Sequence, residues 1–172
     1  MTPPHSPSRP RGGGFTLIEL VIVVLIMAIL AGVAVPRFAE RRLAARDARR
    51  LADVEVIRDA LEQFRLDTGE YPRQTGAWET SLDATFLLDL VELGYLHTHP
   101  TDPLNDASHA YWYRNFNRNA HACVGTGDYF VLGILNFELA ETALEHTGQF
   151  ECVGKDWGND FDYVTGGGAR YR

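Results

Sequence analysis

The chain has 172 residues, of which 45% are hydrophobic and 23% are charged, which suits one apolar anchor helix and one small globular domain. The formal net charge is −7 at pH 7, and it becomes −9 without the two arginines of residues 1–14, Arg9 and Arg11. An acidic surface does not neutralise phosphates, so the composition argues against direct nucleic-acid binding.

A short basic leader precedes a long apolar segment. Residues 1–14 are rich in Pro, Ser and Gly and predict no regular structure. Residues 15–35 contain only two polar side chains, Thr16 and Glu19. As a helix this run would be about 30 Å long, which is enough to cross a bilayer. The sequence therefore predicts a membrane-spanning helix directly after the leader.

Glu19 is the unusual residue of the apolar run, because a carboxylate at membrane depth is costly unless it is neutralised or reaches the interface. One interpretation is a side chain that snorkels to the membrane edge. The other is a charged partner. Cleavage between Gly14 and Phe15 would create an α-amine four residues away, and the amine of a neighbouring copy could pair with Glu19.

A conventional secretory signal is the alternative for the same segment. Gly32-Val33-Ala34 offers a cleavage site after the apolar run. The length of the run and the carboxylate of Glu19 argue against it. This alternative predicts a secreted or membrane-anchored extracytoplasmic ligand-binding domain, with a mature start near Val35 or an intact anchor.

The sequence from Gly14 to Leu20, Gly-Phe-Thr-Leu-Ile-Glu-Leu, resembles the class III signal of type IV pilins and type II secretion pseudopilins. The resemblance implies that a prepilin peptidase cuts after Gly14 and methylates the amine of Phe15. It also implies that Glu19 acts in assembly, where pilin or pseudopilin copies bundle through their N-terminal helices.

The resemblance further implies the partners and the location of the protein. The implied partners are the prepilin peptidase, other filament subunits, membrane lipids, and an inner-membrane assembly platform with its ATPase. The subunit would cross the inner membrane once, with its globular domain in the periplasm, before it enters an extracytoplasmic filament.

The helical pattern continues beyond the poor helix formers Gly32 and Pro36, which predict a weak point, to about Asp67. Apolar residues spaced three or four apart predict one buried face: Ala44, Ala48, Leu51, Val54, Ile57, Leu61 and Phe64. Charged residues predict a solvated opposite face: Arg46, Arg49, Asp53, Arg58, Asp59, Glu62 and Arg65. Thr68-Gly69 and then Pro72 predict the end of the helix.

Four later segments also resemble pseudopilins and favour the G-type branch. They are Asp67-Thr68-Gly69-Glu70-Tyr71-Pro72, Gly94-Tyr95-Leu96, Asp102-Pro103 and Tyr111-Trp112-Tyr113. The predicted organisation is a cleaved leader over 1–14, an apolar helix over 15–36, an amphipathic helix over 37–68 and a globular extracytoplasmic domain over 69–172.

The globular domain is predicted to be a small antiparallel sheet packed on the upper half of the long helix, an α+β, type IV pilin-like fold. A short helix is expected over 81–93, and residues 137–144 fit either a strand extension or a short helix. The glycines at 166–168 and the tail are expected to be flexible. The predicted strands cover 110–115, 128–135 and 161–164.

Two cysteines, Cys123 and Cys152, lie in the last third of the chain. In an exported domain the default is one disulfide, and the alternatives are two free thiols or part of a metal site. The densest group of side-chain oxygens is Asp156, Asn159, Asp160 and Asp162. It could supply three or four of the ligands of a calcium ion, and major pseudopilins hold calcium in a C-terminal loop, but a solvated acidic turn is the alternative.

No arrangement in the sequence predicts catalysis. The chain contains no HExxH, GxSxG or P-loop motif. His97, His99 and His109 lie in a turn-rich segment and are expected to be solvated. A nucleophile made from Cys123 and His121 would need a third, orienting group. The sequence therefore predicts a structural protein rather than an enzyme, with no cofactor beyond the possible calcium.

Overall fold

The computed structural model describes residues 14–74, 77–117, 120–122, 125–145 and 150–169. The chain divides into two compact units, Met1–Glu40 and Arg41–Arg172, called here the first and second units. Helix α1, Leu17–Thr68, begins in the first unit and continues into the second. The helix continues without a break through Gly32 and Pro36, where the sequence predicted a weak point.

The first unit presents an apolar helical surface. The large apolar side chains from Phe15 to Leu30 are between 49% and 84% exposed. Within the described residues, α1 is the one helix long and apolar enough to cross a membrane, judged by length and composition. This apolar segment is called here the stalk, residues 15–30.

The second unit contains an antiparallel sheet, as predicted, and the sheet has four strands rather than the three predicted. Its strands, in spatial order, are β1 (Glu79–Thr80), β2 (Tyr111–Phe116), β3 (Gly125–Ile134) and β6 (Tyr163–Ala169). A separate hairpin pairs β4 (Glu151–Cys152) with β5 (Lys155–Asp156). The short helices are α2 (Leu88–Glu92) and α3 (Ala140–Glu145), so the α+β layout is confirmed.

Side chains alternate between the two faces of the sheet, and each face packs into its own hydrophobic core. On one face, Tyr111 and Tyr113 of β2 join the buried residues of α1, namely Val54, Ile57, Leu61 and Phe64. The opposite face forms a second core of Phe116, Tyr129, Val131, Phe150, Trp157, Phe161 and Val164. The aromatic residues of the strands are therefore mostly core, and the sheet packs on the upper part of α1.

The chain after α1 is fixed by two tyrosines, one that follows the helix and one on β2. Gly69 has a φ of 90° and ends the helix, as predicted. The Tyr71 hydroxyl donates to Glu62 at 2.9 Å and accepts from Arg65 at 2.9 Å. The Tyr113 hydroxyl donates to the carbonyl of Pro72 at 2.7 Å. The Tyr-Pro segment therefore joins the end of α1 to the sheet.

The helix predicted over 81–93 is wrong for its first half. Residues 81–87 form turns, and only Leu88–Glu92 is helical. The Ser81 hydroxyl accepts from the backbone N–H of Tyr111 at 3.0 Å, and Leu87 adopts a left-handed φ of 49°. A left-handed residue interrupts a right-handed helix, so the helix begins only after it. The helix alternative for 137–144 is confirmed from Ala140 onward by α3, whereas residues 137–139 are not helical.

The prediction of flexible glycines at 166–168 is also wrong, because all three belong to β6, and Gly166 and Gly167 pair with β3. A Cβ atom at Gly167 would collide with the Glu62 carboxylate and lie 2.6 Å from the Phe130 ring. Glycine therefore lets this strand lie against α1 and the core aromatics, so the glycines at 166–168 serve close packing.

Candidate functional site

The predicted processing and assembly residues lie at the start of the stalk. Gly14 and Phe15 are exposed, and Phe15 is 84% accessible. A Cβ added at Gly14 would meet nothing within 4 Å among the described residues, so their packing does not require glycine at this position. Any requirement for glycine there must come from a molecule that recognises the junction.

Thr16 and Glu19 form a reciprocal pair of hydrogen bonds. The backbone N–H of Glu19 donates to the Thr16 hydroxyl at 3.3 Å, and the backbone N–H of Thr16 donates to the Glu19 carboxylate at 3.5 Å. This is the pattern of a capping box, and a carboxylate in the first turn also favours the helix dipole. Glu19 thus has a local role that the sequence interpretation missed, although the Thr-x-x-Glu spacing predicts it.

A buried ion cluster lies in the second unit, formed by Arg50 with Asp47, Asp102 and Glu138. Arg50 is fully buried, and its guanidinium donates to both oxygens of Asp102, at 2.6 and 3.0 Å. It also donates to Asp47 at 2.6 Å and to Glu138 at 3.3 Å. Such a fork-to-carboxylate arrangement is directional as well as charged.

The cluster connects three separate segments of the chain. Asp47 lies on α1, Asp102 in the loop before β2, and Glu138 in the loop before α3. The Asp47 carboxylate accepts the backbone N–H groups of Glu138 and Leu139, both at 3.0 Å. Since those donors precede α3, α1 supplies a cap for the region where that short helix starts.

The prediction of a solvated charged face is therefore wrong in part. Arg46 contacts Glu138, and Asp53 accepts from the Tyr111 hydroxyl at 2.9 Å. Ala44 and Ala48, expected to be buried, are exposed instead. The buried stripe of α1 runs Asp47, Arg50, Val54, Ile57, Leu61 and Phe64. This three- and four-residue spacing is present in the sequence. A pattern of apolar residues alone does not include the whole stripe, because two of its members, Asp47 and Arg50, are charged.

The cluster sets the pKa of two of its carboxyls. Burial alone would raise the pKa of Asp102, but hydrogen bonds from Arg50 and from the backbone of Leu104 and Asn105 outweigh it and hold the pKa below its ordinary value. The hydrogen bond from Arg46 lowers the pKa of Glu138. Both groups are therefore more stable as carboxylates in the folded state.

We expect the second unit to lose stability in acid. A carboxyl with a depressed folded-state pKa stabilises the fold above its unfolded pKa, about 4, and this contribution is lost as the pH falls through the folded value. The melting temperature should therefore fall as the pH is lowered below about 4. Glu138→Gln removes one titrating group and should flatten this acid limb. Parallel acid limbs in the two proteins would contradict the assignment.

The predicted calcium ligands are engaged with different parts of the protein. Asp156 accepts from the backbone N–H of Gly158 at 2.8 Å and from the Asn159 amide at 3.1 Å. Asp160 pairs with Lys155 at 2.6 Å, and Asp162 accepts from the backbone N–H of Phe137 at 2.8 Å. Asp156 and Asn159 therefore lie together, whereas Asp160 and Asp162 have other contacts. Calcium binding here stays a prediction.

The cysteine and histidine predictions meet the structure only in part. Cys123 lies outside the described residues, so its bond to Cys152 stays a prediction; Cys152 packs on the second core. His97 is exposed, while the His109 ring lies 3.0 Å from the Asp106 carboxylate. Among the described residues, no group of three or more His, Cys, Asp or Glu could hold a metal ion.

Comparisons with known proteins place this arrangement in a family. Residues 9–35 match the family described as the prokaryotic N-terminal methylation motif. Residues 37–127, just over half of the chain, match the family of type II secretion system (T2SS) protein G. No solved structure matches the chain significantly.

Curated relatives carry the name type II secretion system core protein G. The relative from Escherichia coli K12 is 30% identical over 94 residues, which cover 52% of this chain and 65% of that protein. The Vibrio cholerae relative is 29% identical over 70% of this chain and 79% of its own length. The Aeromonas hydrophila relative is 34% identical over 44% of this chain, which spans half of that protein. By the family match over residues 37–127, the chain belongs to the type II secretion system protein G family.

Proposed function

We propose that the protein is a pseudopilin, a structural subunit of a type II secretion filament. The observation that carries the proposal is the exposed stalk, which begins directly after Gly14-Phe15 and contains one carboxylate, Glu19. An apolar helical surface of this kind is stable only in lipid or against other helices. The family match and the methylation motif support packing against other helices as the final environment of the stalk.

The proposed sequence of events follows from these surfaces. A prepilin peptidase cuts after Gly14, and the stalk holds the subunit in the inner membrane with the second unit in the periplasm. An assembly platform and its ATPase then extract it, and its stalk packs against the stalks of other subunits. No catalytic activity is part of this function, and the family match does not favour a conventional exported binding domain.

The deciding experiment is the intact mass and N-terminal sequence of the protein purified from native membranes. We expect a mature protein that begins at Phe15 and carries one additional methyl group. A start near Val35, or an uncut chain, would contradict the proposal and favour a conventional exported domain.

Gly14→Ala is expected to block processing without disturbing the chain. A Cβ at this position meets no atom within 4 Å, so the variant should fold and insert normally. The uncut precursor should accumulate in the membrane, as seen by a mass that retains the leader. Gly32→Ala, also free of contacts in this structure, is the matched control and should be cut normally. Normal incorporation of Gly14→Ala into filaments would contradict the proposal that cleavage after Gly14 precedes assembly.

Glu19→Ala and Glu19→Gln together separate helix capping from charge pairing. Glutamine at this position can still close the capping box with Thr16 but carries no charge. If a neighbouring α-amine needs the carboxylate, both variants should be cut yet reduce incorporation into filaments by at least about tenfold, because an unpaired buried charge costs several kcal/mol. Wild-type assembly of Glu19→Gln, measured in sheared filament fractions, would remove the charge-pair argument and leave capping as the role of Glu19.

A further inference from the structure

A polar cleft opens beside the end of β2 in the second unit. Its volume is about 420 Å³, within the range of ligand-binding pockets. Its polar lining consists of two arginines, three carboxamides and one histidine: Arg73, Gln74, Arg114, Asn115, Asn117 and His121. Neither the processing site nor the buried ion cluster uses any of these side chains.

Arg114 lies against two aromatic rings of the second unit. Its guanidinium carbon lies 4.8 Å from the ring centre of Phe116 and 5.8 Å from that of Trp78. Its Nε is buried and has no hydrogen-bond partner. Within the described part of the chain it forms no salt bridge, whereas Arg50 and Arg58 do. The aromatic rings thus hold an unpaired cation in place, which is the arrangement that favours capture of an anion.

Asn115 leaves an acceptor without a donor in the same lining. Its backbone N–H and carbonyl are both engaged by the Gln74 side chain, each at 3.0 Å. Its side-chain N–H donates to the carbonyl of Tyr71 at 3.2 Å, while the buried Oδ1 has no partner. A buried unpaired acceptor is unfavourable, so the lining of the cleft contains a polar group that its own surroundings do not satisfy.

His121 forms a strained wall of the cleft. Its φ is 52°, in the left-handed region where a non-glycine residue is uncommon. Ring contacts with Phe116 and Trp157, both at 5.2 Å, and a 2.9 Å hydrogen bond from Gly154 to its carbonyl hold it there. Strain that is stabilised by its surroundings is typical of binding sites.

We propose that this cleft binds an acidic peptide segment of another protein. The cleft offers the guanidinium of Arg114 to an anion and carboxamide side chains to a backbone, and an acidic peptide carries both a side-chain carboxylate and backbone N–H and C=O groups. Arg73 can join because its present partner, Glu70, forms an exposed pair at 2.8 Å. Exposed ion pairs are weak, so a ligand carboxylate can compete for Arg73.

The test is calorimetric titration of the full chain in detergent micelles with tetraglutamate, acetylated and amidated at its ends. We expect saturable binding that weakens at least about tenfold in Arg114→Gln, since charge-assisted hydrogen bonds are lost. Arg73→Gln should weaken it less. Arg49→Gln makes the same charge change on α1, where Arg49 pairs with Asp53, and is the matched control.

Each outcome decides the proposal. No saturable binding, or equal weakening by all three variants, would overturn it, because general charge attraction would then explain the result. Galacturonate is the second ligand, and binding of this sugar acid without binding of tetraglutamate would overturn the assignment to a peptide. If Arg114→Gln fails to fold, Arg73→Gln still decides, because that side chain is 74% exposed and outside the core.

Discussion

Replacing Arg50 with methionine is expected to lower the free energy of unfolding of the second unit by about 3–5 kcal/mol. The substitution leaves Asp47 and Asp102, which are 1% and 3% exposed, without their shared cation. Buried carboxylates that lose the guanidinium they share are desolvated and mutually repulsive. Urea unfolding followed by tryptophan fluorescence measures the loss, since Trp78, Trp112 and Trp157 all lie in this unit.

The neighbouring Arg49 provides the matched control. Its side chain is 64% exposed and its pair with Asp53 spans 3.5 Å, so Arg49→Met should cost less than about 1 kcal/mol. Arg50→Lys keeps the charge but loses the planar fork, and it should fall between the two. A loss in Arg50→Met no larger than that in Arg49→Met would show that the cluster does not stabilise the fold.

Gly168→Ala is expected to destabilise the second unit by about 2–5 kcal/mol, from two separate causes. Gly168 has a φ of 87°, a left-handed conformation that alanine adopts with strain. A Cβ there would also collide with the backbone carbonyl of Asp128 and lie 2.9 Å from the Tyr71 ring.

Two other glycines separate these causes. Gly94 has a φ of 82° but open space around it, so Gly94→Ala should cost about 1–2 kcal/mol from conformation alone. Gly133 lies in β3, where an added Cβ would come within 2.6 Å of the Phe161 ring, so Gly133→Ala should cost about 1–3 kcal/mol from overpacking alone. A Gly168→Ala loss no greater than that of Gly94→Ala would mean that the strand shifts to accommodate the methyl group.

Local signals in the sequence located the elements whose causes are local. The apolar run, the Thr68-Gly69 helix end and the two central strands each depend on neighbouring residues, and α1, β2 and β3 confirm them. The extension of β6 through three glycines could not be predicted in this way. Glycine disfavours a strand by its own propensity, and only the approach of Glu62 and Phe130 from distant segments makes it necessary.

The candidate sites divide in the same manner. Gly14, Phe15 and Glu19 could be proposed from the sequence because their motif is a contiguous stretch of chain, and that stretch lies within the match to the N-terminal methylation motif. Arg114 and Asn115 carried no signal, since their unpaired atoms are a property of what surrounds them in the fold.

By itself the sequence determined the apolar stalk and the α+β class, because hydrophobic run length and periodicity act along the chain. The tertiary structure alone decided that Arg50 is buried rather than solvated, since its three carboxylates come from Asp47, Asp102 and Glu138, as far as 88 residues away. A charge can be buried only where such partners converge, and convergence of distant segments is a property of the packed fold.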